Sequence, residues 1–189
     1  FVNTPDAIEG NRTEKCDTAS AAFQSENNGC VDYVGSEDEI MAEIRQLVCM
    51  LPGNNEGDVY TDTCEDDLNR ACESMETMKG DPRYLLSEIS DGHVFFETKA
   101  DYAKNMVTGL IKLNGMTVGA VANCSEVYDA EGNKAETFDM SLTAQGCNKA
   151  AEFIQFCDAF SIPVLSITNV NGFKNCMCSE KKLAKALAR

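Results

Sequence analysis

Apolar residues are sparse over residues 1–35, where Asn, Thr, Ser and Glu dominate after a short apolar start, "FVNTPDAI". The first periodic signal comes in "SEDEIMAEIRQLVCMLP" (36–52), where Ile40, Ile44, Leu47, Val48 and Leu51 recur at the spacing of one helical face. Ser36 suits the cap, the acids behind it suit the first turn, and Pro52 with Gly53 ends the run. Residues 53–80 read as an acidic loop that carries a short helix over 66–73. "DPRYLLSEISDG" (81–92) predicts another short helix, with Pro82 in its first turn and Gly92 past its end.

The period changes near residue 93. "HVFFETK" predicts a strand, and "MVTGLIKLNGMTVGAVAN" places two apolar runs on either side of Asn114 and Gly115, a strong hairpin signal. Residues 124–138 read as a polar loop. Residues 139–160 predict an amphipathic helix with Leu142, Cys147, Ala150, Ala151, Ile154 and Cys157 along one face. "IPVLSITNV" is apolar almost throughout, as in a parallel strand covered on both faces. "EKKLAKALAR" begins a last helix. Strands and crossover helices therefore alternate from 93 onward, which predicts the α/β class.

Composition narrows the partners. The 189 residues hold 31 Asp and Glu against 16 Lys and Arg, a formal charge of −15, so nucleic acid and anionic membrane are poor partners. A content of 43% hydrophobic residues supports a sizeable core, and no apolar run approaches the 18 residues of a membrane span. The basic end (Lys174, Lys181, Lys182, Lys185, Arg189) reads as the charged face of a solvated helix. The chain begins at Phe1, with nothing that resembles a signal peptide, and reads as a piece of something longer.

Ten cysteines invite a disulfide or zinc reading, but there is no Cys-x-x-Cys pair and only His93 to assist, so no metal site is expected. Cys49, Cys124, Cys147 and Cys157 sit among apolar neighbours and read as free thiols packing in reducing cytosol, which places the protein in the cytoplasm. Cys176 and Cys178 stand apart as Cys-Met-Cys. His93, with no orienting partner in the sequence, reads as surface or packing, and Asp158 as a capping or paired acid. Gly109, Gly115 and Gly119 read as structural.

Two blocks, "YAKNMVTGLIKLNGMTVGAVAN" and "AAEFIQFCDAFSIPVLSITNVNGF", carry a resemblance to the carboxyltransferase component of biotin-dependent acyl-CoA carboxylases (propionyl- or acetyl-CoA carboxylase beta type) and the related biotin-dependent decarboxylases. The matching positions are Tyr102, Asn105, Gly109, Gly115, Gly119, Asn123, Lys149, Phe153, Phe156, Cys157, Asp158, Phe160, Pro163, Gly172 and Phe173, in the family's order and spacing. "FVNTPDAI" and "EIRQLVCMLPGNN" resemble the close of the family's first half more loosely. The resemblance implies a ClpP/crotonase-like α/β fold present in part: residues 1–92 would end the first unit and 93–189 would open the second. Two departures stand out. Asn171 replaces the proline before Gly172, and "KNCMCSEKKLAKALA" replaces a glycine-rich linker.

The resemblance further implies a substrate pair, a CoA thioester and biotin on a biotin carboxyl carrier protein, with a biotin carboxylase component as second partner and a homo-oligomeric full-length protein. The transferred carboxyl group would move between carboxybiotin and a short acyl-CoA such as propionyl-CoA or acetyl-CoA. Such chemistry develops charge on oxygen atoms that backbone amides can stabilise. Gly172 and Phe173, where a strand delivers the chain to a glycine, would supply the amides of the biotin-side oxyanion hole. The rest of the hole, like the acyl-CoA pocket, is expected beyond the two ends of this chain, so the isolated 189 residues are expected to be inactive. Without the resemblance, the Asn171–Gly172 step is an ordinary turn. Two alternatives remain at this point: the carboxyltransferase subunit of a biotin-dependent malonyl- or methylmalonyl-CoA decarboxylase, and a short non-catalytic assembly or regulatory protein of a carboxylase complex.

Overall fold

The computed structural model describes residues 20–60, 63–72, 80–129 and 131–189. The apolar start at 1–8 and the end of the helix expected over 66–73 lie outside them. Its centre is a four-stranded mixed sheet, in the order β1 (Phe95–Thr98), β2 (Met106–Leu113), β3 (Met116–Asn123), β7 (Val164–Ile167). The first three strands form an antiparallel meander, and β7 joins β3 in parallel. The expected hairpin falls where Asn114 and Gly115 both take left-handed backbone (φ 52° and 75°), the geometry a two-residue turn needs. The Asp91 carboxylate accepts both turn amides, at 3.0 and 2.6 Å, and so ties the hairpin to the end of α3 (Pro82–Ile89).

Alternation along β2 divides the core between the two faces of the sheet. Met106 and Leu110 join Phe96, Val121, Phe153, Cys157 and Ile162 on the side of α4 (Ala144–Ala159). Val107 and Ile111 join Leu86, Val118, Ala120 and Cys124 on the side of α3. The result is one helix layer on each face. Across the sheet edge, Arg83 of α3 grips Glu97 of β1 through both nitrogens of a fork, at 2.7 and 2.9 Å. Burial opposes the guanidinium charge, but the Glu97 carboxylate, with Asp81 beside it, outweighs it and raises the arginine pKa further.

Several expectations are corrected. Strands and helices do not alternate through the second half, because β1–β2–β3 need only short turns and one crossover, β3–α4–β7, supplies the parallel pair. The helix expected over 139–160 starts at Ala144: Ser141–Leu142 is extended as β6, and Thr143 caps α4 by accepting the Gly146 amide at 3.0 Å. The polar loop at 124–138 holds a hairpin of β4 (Glu126–Tyr128) and β5 (Lys134–Thr137), which shares the Glu126–Lys134 ion pair. β7 is not covered on both faces; it is the sheet edge, and Val164 is 39% exposed. Residues 66–72 form turns rather than the start of a helix. The N-terminal polar region contains a short helix, α1 (Ala21–Glu26), capped by Ser20.

The helix expected over 36–52 is α2 (Glu37–Met50), with Ser36 and Glu39 closing a reciprocal capping box. Its apolar stripe, however, meets the core only at the C-terminal turn, where Met50 is buried and Leu47 and Leu51 pack beside it. Ile40, Met41, Ile44 and Val48 remain 37–64% exposed, and Cys49 is exposed rather than packed. Cys124, Cys147 and Cys157 are buried free thiols, as expected. Asp158 is exposed, and what it contributes is its backbone carbonyl, which accepts the Ser161 amide at 3.1 Å.

Candidate functional site

The parallel pairing of β3 with β7 aligns Ala122 with Ile167, so Asn123 stands beside the residues that leave β7. Its side-chain amide donates to the Asn169 carbonyl at 2.6 Å, and its side-chain oxygen accepts the Asn169 amide. One side chain thereby satisfies both backbone groups of the loop residue and fixes where the chain departs from the sheet. Upstream, the Gly119 amide donates to the Pro163 carbonyl at 2.8 Å, which sets the start of β7 against the same strand.

Past Asn169 the chain forms β8 (Gly172–Phe173), which pairs in parallel with β6: Ser141 faces Gly172 and Leu142 faces Phe173. The Asn171 amide donates to Met140 at 2.7 Å and the Lys174 amide to Leu142 at 2.9 Å. These two amides reach the same neighbouring segment although they lie three residues apart, so the two-residue alternation of a strand breaks at the Gly172–Phe173 step. Gly172 has φ +140°, a conformation closed to ordinary L-residues, and a Cβ built on it would meet no atom within 4 Å. The space where a side chain of residue 172 would stand is therefore open. The Lys174–Asp139 ion pair ties down the far end of the loop. α4 begins two residues after Leu142, so the positive end of a 16-residue helix starts next to this ladder.

The remaining matched positions build the support behind this loop. Gly119 lets α4 approach β3 closely: a Cβ there would lie 2.6 Å from Cys157 Sγ and 3.2 Å from Phe153 Cε1. The Asn105 side chain donates to the Thr143 hydroxyl at 3.1 Å, and the Asn105 backbone carbonyl accepts the Cys124 amide. Lys149, 1% exposed, directs its ammonium to the carbonyls of Lys99 and Tyr102, both at 2.8 Å. Burial pushes its pKa down to about 8, against the pull of the Glu97 carboxylate. It lines a cavity of about 300 Å³ with Thr98, Thr108, Glu152 and Phe153. The sequence reading marked Asn123 and Lys149 as matches without a role. An amide side chain at a strand end and a lysine on an apolar helix face were the available signals. His93 is exposed and lies 3.9 Å from Glu88, outside this arrangement.

A mixed sheet with a helix layer on each face, one strand of which leads into a left-handed glycine, defines an α/β fold. The chain belongs to the carboxyl transferase domain family, whose profile matches residues 6–184. It is 32% identical over 184 residues to the propionyl-CoA carboxylase beta chain of Roseobacter denitrificans and 29% identical to the methylmalonyl-CoA decarboxylase subunit alpha of Propionigenium modestum. Each alignment covers 92% of this chain but 34% of the relative, so the chain spans about a third of their length. Its backbone matches that of the transcarboxylase 12S subunit, solved as a hexamer with methylmalonyl-coenzyme A and methylmalonic acid bound, at a TM-score of 0.80 and 27% identity over all of this chain and 37% of that one. The expected partial crotonase-like α/β fold is thus correct.

Proposed function

We propose that this chain is part of a carboxyltransferase that moves a carboxyl group between carboxybiotin and a short acyl-CoA, propionyl-CoA or acetyl-CoA, with residues 1–92 closing one unit of the protein and 93–189 opening the next. The observation that carries the reading is the Gly172–Phe173 step: a left-handed glycine with open space where a Cβ would stand, at the break in the strand's alternation, on a segment that matches the family. Biotin, on a partner carrier protein, supplies the carboxyl group and a ureido oxygen that gains negative charge when the carboxyl leaves. Backbone at a residue with no Cβ can approach such an oxygen closely, and a preorganised amide donor is typically worth about 2.7–4 kcal/mol in the transition state. Asn123 holds the loop so that the amide needs no reorganisation during the reaction, and the positive end of α4 adds a favourable field.

Carboxylation and decarboxylation use the same groups in opposite directions, and the likeness to a methylmalonyl-CoA decarboxylase subunit keeps the second direction as an alternative. Similarity to a subunit solved as a hexamer, and the uncovered apolar stripe of α2, support a homo-oligomeric protein that works with a biotin carrier and a biotin carboxylase. Three cysteines buried as free thiols, in a structure with no helix long and apolar enough to cross a membrane among the described residues, support a cytoplasmic place for it. The full-length polypeptide should decarboxylate malonyl- or methylmalonyl-CoA only when free biotin or biocytin is present. Turnover that ignores biotin would end this reading.

A further inference from the structure

One chemistry-bearing motif that the proposed reaction leaves unused is Cys176-Met177-Cys178, at the start of α5 (Met177–Leu187). Its two sulfur atoms lie 3.2 Å apart, close enough for one thiol to donate to the other. Cys178 is exposed and Cys176 half-buried, so both can be reached from solvent, whereas Cys124, Cys147 and Cys157 are enclosed in the core. Cys176 occupies the N-cap position in extended backbone, at the positive end of the helix. The Lys174 ammonium adds positive charge two residues upstream. A thiolate on Cys176 is favoured by the Cys178 thiol first, then by the Ser179 amide, and also by Lys174, so its pKa is lowered despite some desolvation. Burial raises the pKa of Cys124, Cys147 and Cys157 instead. A stabilised, accessible thiolate with a second thiol in contact is the arrangement of an attacking and a resolving cysteine.

We propose that Cys176 and Cys178 form a redox-active dithiol site whose substrates are low-molecular-weight disulfides, with Cys176 as the attacking and Cys178 as the resolving thiol. The Cys176 thiolate attacks one sulfur of the small disulfide, whose S–S bond breaks and releases one thiolate that takes a proton from water. Cys178 then loses its proton to water and attacks Cys176 Sγ in the mixed disulfide, releasing the second small thiol. Two electrons pass from the protein dithiol to the small disulfide, which leaves as two thiols. The site stands on the positions of the two sulfurs and does not depend on the carboxyltransferase reading.

The test uses the full-length polypeptide, reduced and then exposed to glutathione disulfide, quenched in acid, alkylated and digested with trypsin. Cleavage after Lys174 and Lys181 releases residues 175–181, which contain both sulfurs and no other cysteine. That peptide should lose two hydrogens without retaining glutathione. Cys178→Ser should accumulate a glutathione adduct on Cys176. Cys176→Ser should abolish closure and leave Cys178 no more reactive than the exposed Cys30. Either of two results would overturn the proposal: a wild-type peptide that stays reduced or carries glutathione while Cys30 and Cys49 react, or a Cys178→Ser protein with no preferred adduct at Cys176. The first needs no variant, so a folding defect cannot obscure it.

Discussion

Gly172→Ala separates the proposed role of the loop from its contribution to stability. At φ +140° an L-residue costs about 1–3 kcal/mol in backbone strain, and with no atom within 4 Å of the new methyl group there is no clash to add. The local restraint on β8 is of the same size: the Asn171 and Lys174 amide bonds to the Met140 and Leu142 carbonyls are each worth about 0.5–1.5 kcal/mol net. The loop should therefore release its strain by rotating peptides around residue 172, which redirects the Phe173 amide, while the sheet and core stay folded. Loss of one preorganised donor lowers kcat by about 100- to 1000-fold. The assay is biotin-dependent decarboxylation of methylmalonyl-CoA by the full-length polypeptide, with kcat and KM for the CoA ester measured separately. We expect kcat to fall in that range, KM to stay near its original value, and the thermal midpoint to drop by a few degrees at most. Gly92→Ala is the control: φ is +59° there and the space is also open, but the residue precedes β1, at the opposite edge of the sheet from β7. It should lose stability and keep kcat. A folded Gly172→Ala protein with kcat within about threefold of the original, or no lower than that of Gly92→Ala, would refute the role assigned to this step.

Three further outcomes follow from packing and charge. Gly119→Ala puts a Cβ 2.6 Å from Cys157 Sγ and should cost about 1–3 kcal/mol in urea unfolding. Much of that cost should vanish in a Cys157→Ala background, and strict additivity of the two changes would disprove the contact. Lys149 has a folded pKa near 8 against 10.5 for the free side chain, so the unfolded chain binds more protons between those values and stability rises with pH across that window. Relative to Lys149→Met, the original protein should gain up to about 3 kcal/mol between pH 8 and 10.5, and a flat difference would contradict the buried ammonium. Asn123→Ala removes both bonds to Asn169 and should reduce kcat through a looser loop, with stability lower by about 1–2 kcal/mol. An unchanged kcat would show that the loop holds its shape without the clamp.

Local order was legible wherever one short stretch carries its own signal. The Asn114–Gly115 turn demands left-handed backbone that these residue types adopt readily, and Ser36 with Glu39 forms a capping box within four residues. The order of the motif positions from Tyr102 to Phe173 was enough to place the chain in its family and to mark the strand that ends at Gly172. What a distant partner decides was not legible. β6 was hidden inside an apparent helix because Ser141 and Leu142 become extended only by pairing with Gly172 and Phe173, some 30 residues later. The stripe on α2 gave the period of a helix but not how much of it reaches the core, which depends on how the helix docks on the sheet. The apolar run of β7 signalled a parallel strand, yet its exposure follows from its place at the sheet edge, a property of the whole sheet. Asn123 could be named as a match by its position, but its grip on Asn169 exists only because parallel pairing brings two residues 46 apart side by side. By itself the sequence determined the Asn114–Gly115 turn, the Ser36 cap, the helical period of α2 and the family of this protein. Tertiary structure decided register, edge and burial, because each depends on pairings between residues far apart in the chain, which no local pattern encodes.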